Sequence, residues 1–259
     1  MKNFTNMMLP TFGLIVFLLL GPITANAVLI SDTYWGADPT HGWSDRDVVG
    51  DNALFNISQM EVTFNPDGMY VDIYTTYLNN INEYGTQLGD LFISTDGWNP
   101  NGNAPYTEDN FASGGESWEY VLVLDNHRPN PEQTAGRSGN VSLYQITGPA
   151  DIELSWAANN YVYRQGQEVQ YKGTGGALAS GTWSIENWGD PDTDDFLRFI
   201  IDSDEFDGVS EFGFHWTMTC ANDVIEGGTA PVPEPATMLL FGAGLVGVAV
   251  TGRKKLRQS

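Results

Sequence analysis

The chain has 259 residues, with 33 Asp and Glu against 11 Lys and Arg, and a net charge of −22. So acidic a balance excludes a nucleic-acid surface built on phosphate contacts, because the field repels polyanions. A single cysteine, Cys220, excludes an intramolecular disulfide, so any exported domain here must stand on its core.

The chain opens with one early charge, Lys2, then an apolar stretch over residues 9–20, then the small-x-small triplet Ala25-Asn26-Ala27. This order reads as a secretory signal peptide over residues 1–27, cut after Ala27. Residues 28–230 form the next unit, with six basic residues against 32 acidic ones, a net −26. About 200 residues is enough for one β domain with a sizeable core.

Within that unit, alternation dominates and helical periodicity is nearly absent. Residues 31–52 are a polar opening holding Trp35, His41 and Trp43. Residues 57–64 and 69–77 flank Asn65-Pro66-Asp67-Gly68, a turn in which Pro presets φ and Gly accepts the left-handed position, so they predict a hairpin. A short strand follows at 89–95, then a long loop at 96–116 rich in Asn, Gly and Pro, a length often tied to function. Residues 118–124 predict a strand packed on both faces, because the second half is continuously apolar. A loop at 125–139 carries His127, Arg128 and Arg137. Further strands are predicted at 141–146, 152–156, 161–164, 169–171, 182–187, 196–201 and 209–219. In the last, Phe212, Phe214, Trp216, Met218 and Cys220 share one face, and His215, Thr217 and Thr219 form a polar stripe on the other. Ten to twelve strands at this spacing predict an all-β fold, a jelly-roll-like sandwich of two antiparallel sheets. Residues 227–232 read as a linker.

Three chemistries can be set against these residues. Asp190, Asp192 and Asp194 alternate in one loop, and Asp202, Asp204 and Asp207 crowd another; such oxygen ligands suit calcium, while the same runs also serve as solvated acidic loops. Trp98 and Trp188 sit in polar loops and are candidates for stacking on sugar rings, whereas Trp118 and Trp216 lie in strands and read as core. Hydrolysis has little to work with: no Gly-x-Ser-x-Gly elbow occurs, and His41, His127 and His215 are far apart with no zinc spacing. A non-enzymatic protein is expected.

The tail, residues 231–259, has three parts: Pro233-Glu234-Pro235, an apolar run giving a transmembrane helix at about 236–252, and a basic end with Arg253, Lys254, Lys255 and Arg257. The prolines keep the boundary extended. A plain membrane anchor would share most of these features. Pro-Glu-Pro, a hydrophobic helix and a basic end, in this order, resemble the PEP-CTERM sorting signal. Residues 214–227 also resemble the closing strand of many PEP-CTERM surface proteins. The resemblance implies recognition by exosortase, a membrane-embedded cysteine protease of Gram-negative bacteria that make exopolysaccharide. It implies transient tethering to the inner membrane, then residence at the cell surface or in the extracellular matrix. The expected function is an exopolysaccharide- or biofilm-associated or carbohydrate-binding module. A passive acidic coat protein is the alternative, with a glycan-active hydrolase behind it. Expected partners are exosortase, the membrane and exopolysaccharide, with no nucleic acid, and calcium is the one cofactor in view.

Overall fold

The computed structural model describes residues 26–38, 46–112, 114–157, 163–190 and 193–229. The leader through residue 25, Asp192 and the whole tail, including Pro233, Glu234, Pro235, Arg253, Lys254, Lys255 and Arg257, lie outside them. Twelve strands are found: β1 Asn26–Ser31, β2 Ile57–Asn65, β3 Gly68–Thr75, β4 Leu91–Ser94, β5 Tyr120–Leu124, β6 Ser138–Gln145, β7 Ile152–Leu154, β8 Glu168–Tyr171, β9 Ala179–Glu186, β10 Phe196–Ile201, β11 Phe212–Thr217 and β12 Val224–Thr229.

The all-β class is as expected, but the two-sheet sandwich is not what forms. Ten strands make one continuous antiparallel sheet in the order β1-β2-β3-β10-β9-β6-β5-β4-β11-β12. The sheet curls until its outer strands, β1 and β12, touch, giving a nearly closed barrel. The physical reason is that one face of all ten strands is apolar and must be buried. Met69, Val71 and Ile73 of β3 lie opposite Ile201, Phe199 and Leu197 of β10. The row continues through Trp183 and Ile185 of β9 and round to Phe214 and Trp216 of β11, all in one core cluster. A curled sheet buries that face against itself and removes most of its exposed edge. The hairpin at 65–68 forms as read, with Asn65 opposite Gly68.

The seam between β1 and β12 depends on glycine. A Cβ on Gly227 would lie 2.5 Å from Cγ2 of Ile30, and one on Gly228 would lie 2.8 Å from Cβ of Trp98. The two glycines that read as linker are therefore interior strand residues whose missing side chains admit neighbours on both faces. Because every step across the sheet is antiparallel, β1 and β12 also run antiparallel. The start of β1 and the end of β12 lie at one rim of the barrel, with the turn at residues 65–68; the end of β1 and the start of β12 lie at the opposite rim.

A second layer covers the outer face of β4, β5, β11 and β12. It consists of residues 33–38, the long loop at 95–119, and the separate β7–β8 hairpin. Phe92, Trp118, Val121 and Ile152 pack in this layer, as do Tyr34, Ala221 and Val224 with Trp98 and Tyr106. The chain is tied down by backbone bonds from Trp35 N to Pro105 O and from Phe111 N to Gly166 O. β11 is consequently buried on both faces, and the polar stripe of His215, Thr217 and Thr219 is interior rather than wet.

Gly227→Val overpacks the seam against Ile30 and is expected to destabilise the protein by about 2 kcal/mol. Gly148→Ala, whose added methyl meets nothing within 4 Å, should stay within about 0.5 kcal/mol. Urea midpoints of the two variants check the difference.

Candidate functional site

At the rim where β1 ends and β12 begins, three carboxylates from distant parts of the chain converge. Asp32 follows β1, Asp47 lies in the segment that returns to the domain, and Asp223 leads into β12. One oxygen from each lies within 4.8 Å of the others. Asp223 is wholly buried and fixed: Ile57 N–H donates to its Oδ2 at 2.5 Å and Val224 N–H to its Oδ1 at 2.9 Å. Oδ1 of Asp32 and Oδ1 of Asp47 are buried without a hydrogen-bond donor.

Arg164 enters the same region, fully buried. Its Nη2 donates to the carbonyls of Arg46 and Asp47, each at 2.6 Å, while Nε and Nη1 have no acceptor. Burial and the Asp47 charge push Asp32 up to about 8, with Arg164 opposing. Burial, aided by Asp32 and Asp47, holds Asp223 well above the usual carboxylate range, and burial likewise raises Asp47. Burial lowers Arg164 against the pull of Asp223 and Asp47. These are the hard oxygen groups that a cation would use.

Beneath the second layer lies a different constellation. His215 Nδ1 is 2.9 Å from Glu226 Oε2, and its Nε2 is 2.7 Å from the backbone oxygen of Glu168. A carbonyl only accepts, so Nε2 carries a proton; a second proton is then shared between Nδ1 and Glu226. The indole N–H of Trp98 donates to Glu226 Oε1 at 2.8 Å, that of Trp118 to Glu168 Oε1 at 3.2 Å, and Tyr34 O–H to Asp109 Oδ2 at 3.1 Å. Burial raises both Glu226 and Glu168, with His215 opposing. Burial works against charged His215, but the bond to Glu226 and the two glutamate charges outweigh it and raise the imidazole. The space between Tyr34, Asp109, Trp118, Glu168 and Glu226 is about 10 Å³, on the order of one water, and it shares Glu116 and Trp118 with the wider concavity outside it. His127 is also engaged, 2.7 Å from buried Asp90, whose oxygens further accept from Leu124 N and Tyr171 N.

Among the described residues, two of the concavities that open to solvent are of ligand size. One, of about 430 Å³, lies between residues 111–119 and 146–152, with Phe111, Trp118, Ile146, Pro149 and Ile152 as its apolar surfaces and Glu116 and Glu119 as its carboxylates. Glu116 is held by the N–H groups of Asn99 and Ser117, and Glu119 by that of Thr95. The other, of about 370 Å³, is lined by residues with polar side chains, including Asn56, Thr75, Asn79 and Asp195.

The residues singled out in the sequence are dispersed. Trp98 is part-buried, edge-on to Tyr106 at 5.1 Å and bonded to Glu226. Trp188 packs on the main core with the Arg137 guanidinium 5.8 Å from its ring centre. Asp190 and Asp194 lie before β10, whereas Asp202, Asp204 and Asp207 lie after it, so the whole length of that strand separates the two runs. All five are exposed. The convergent triad escaped the spacing argument because 15 residues part Asp32 from Asp47 and 176 part Asp47 from Asp223. The one local signal was the polar pair Asn222-Asp223 inside an otherwise apolar closing stretch, residues 220–225.

Comparison with family models matches residues 231–255 to the PEP-CTERM protein-sorting motif. No curated protein and no solved structure matches the chain.

His215, Glu168 and Glu226 all hold protons more tightly in the fold than in the unfolded chain, with reference values of 6.5 for His and 4.5 for Glu. The His215 contribution is complete below about pH 6.5 and is lost as pH rises through its higher folded value. The glutamates bring a cost that grows as pH rises above about 4.5. Both effects have one sign, so the urea midpoint should fall between pH 5.5 and pH 8, and Glu226→Gln should flatten that fall. Asp32, Asp47 and Asp223 act in the same direction, and Asp109 faces Glu226 as a further negative charge.

Proposed function

We propose that this chain, marked by its PEP-CTERM protein-sorting motif as an exported surface protein processed by exosortase, is a non-enzymatic module that binds an extracellular polysaccharide. The motif carries the protein through the membrane, tethers it there transiently and delivers it to the surface, where long glycans are the neighbouring polymer.

The observation that carries the binding reading is the open concavity of about 430 Å³ at residues 111–119 and 146–152. Its size suits one or two sugar rings. It pairs flat apolar surface from Phe111, Ile146 and Pro149 with pinned carboxylates from Glu116 and Glu119. Sugars need both: C–H faces stack on apolar surface, and hydroxyls donate to fixed acceptors. The concavity at Asn56 and Thr75 offers acceptors but no aromatic or large aliphatic side chain to stack on. The absence of chemistry in this reading is supported by the burial of His215, Glu168 and Glu226, because a general acid or base must come within hydrogen-bond reach of substrate.

The net charge of −26 over residues 28–230 supports a second reading, a passive acidic coat whose spacing is set by repulsion. The two diverge in saturation and in salt dependence.

Titration of the full exported protein with exopolysaccharide from the producing cells should give saturable binding that survives 0.5 M salt. Phe111→Ala should weaken it by about tenfold, and Glu119→Gln should weaken it less. Trp188→Ala should leave it unchanged; if that variant alone loses binding, the site belongs at Trp188 instead. Unsaturable, salt-sensitive association would favour the coat.

A further inference from the structure

We propose that Asp32, Asp47 and Asp223 hold a divalent cation of the calcium class at the rim of the β1–β12 seam. Two oxygens on one calcium ion cannot be farther apart than about 5 Å, twice the 2.3–2.6 Å metal–oxygen distance. The oxygens offered by these three residues lie within 4.8 Å of one another. Magnesium demands near-octahedral order at 2.0–2.1 Å, which three carboxylates from three unrelated segments are poorly placed to supply.

Arg164 lies against the same cluster without neutralising it. It is completely buried beside the triad, and its charge is felt by all three aspartates. Among the described residues, however, no ion pair within 4.0 Å joins it to any of them: its bonds go to backbone carbonyls of residues 46 and 47, and Nε and Nη1 are left without acceptors. The carboxylates likewise leave Oδ1 of Asp32 and of Asp47 buried and without donors. Buried polar atoms seldom stay unsatisfied, and the orphaned oxygens of Asp32, Asp47 and the adjacent Asn222 are acceptors that a cation would satisfy. With all three carboxylates ionised, as a bound cation would make them, they and the guanidinium carry a net charge of −2, which a divalent cation cancels. Asn222, 1% exposed, with neither amide atom partnered, stands next to Asp223 and packs over Gly50 in the same returning segment.

Such an ion would bridge the end of β1, the segment at residues 46–50 and the entry to β12, and so would lock the seam. The exported protein would meet calcium outside the cell, where sites of this kind bind at about 0.1–1 mM.

The test is thermal unfolding of the full chain, followed by tryptophan fluorescence, in 10 mM calcium chloride, in EDTA, and in magnesium chloride at matched ionic strength. Calcium should raise the midpoint by about 3–5 °C over EDTA, and magnesium clearly less. Asp47→Asn, at a partly exposed position and without change of size, should fold, should abolish the calcium shift, and in EDTA should be at least as stable as the parent because one repulsive charge is gone. Asp32→Asn should behave alike. Calorimetric titration of the parent with calcium should show one site that both variants lose. Equal midpoints in calcium and EDTA, an equal shift in magnesium, or a calcium shift that persists in both variants would each overturn the proposal.

Discussion

Ile30 occupies the place where a side chain on residue 227 would be, and this one close approach lets the two ends of a ten-stranded sheet meet. With a larger residue there, β1 and β12 would be held apart and the apolar faces of both would meet water. Closure costs side-chain area at two positions, Gly227 and Gly228, and loses the packing they would give. In return, residues from all ten strands share one core. The second layer depends on the same step, because Gly228 is where Trp98 lies against the sheet.

That second layer is held by polar as much as apolar contacts. Glu226 and His215 stand on neighbouring strands of the sheet, and the groups that reach down to them, Trp98 from the long loop and the backbone oxygen of Glu168 from β8, belong to the covering layer, where Trp118 in turn holds the Glu168 side chain. Each bond therefore fastens the layer at a defined position. A buried network of this kind is favourable only when every member is satisfied, and the donors and acceptors here are matched: two indoles and an imidazole against two glutamates. The triad at the rim is the opposite case, with acceptors and donors left over on both sides.

Much of this was legible in the sequence. The hairpin at 57–75 could be read from its turn residues, and β5 from its unbroken apolar run. Alternation over 212–220 correctly separated Phe212, Phe214 and Trp216 from His215 and Thr217. It could not show that both faces were buried, because a polar stripe looks the same whether it meets water or a matched layer. The sandwich expectation failed for a related reason: strand count and spacing are the same for two sheets and for one that curls, and pairing order lies in contacts between distant residues. Gly227 and Gly228 were misread because glycine is equally at home in a free linker and in a strand pressed on both sides. The aspartate runs at 190–194 and 202–207 were conspicuous by spacing but lie at opposite ends of β10, whereas the three aspartates that do meet have no spacing in common.

The antiparallel seam has a mechanical consequence. The chain leaves β12 at the rim where β1 begins, and the aspartate triad lies at the opposite rim, about 20 Å away, the length of six strand residues. A pull on the end of β12 against a load on that far rim runs along the axis of the strand. Its hydrogen bonds to β11 are then loaded together, in shear, rather than opened one after another, so the last strand bears tension as a unit.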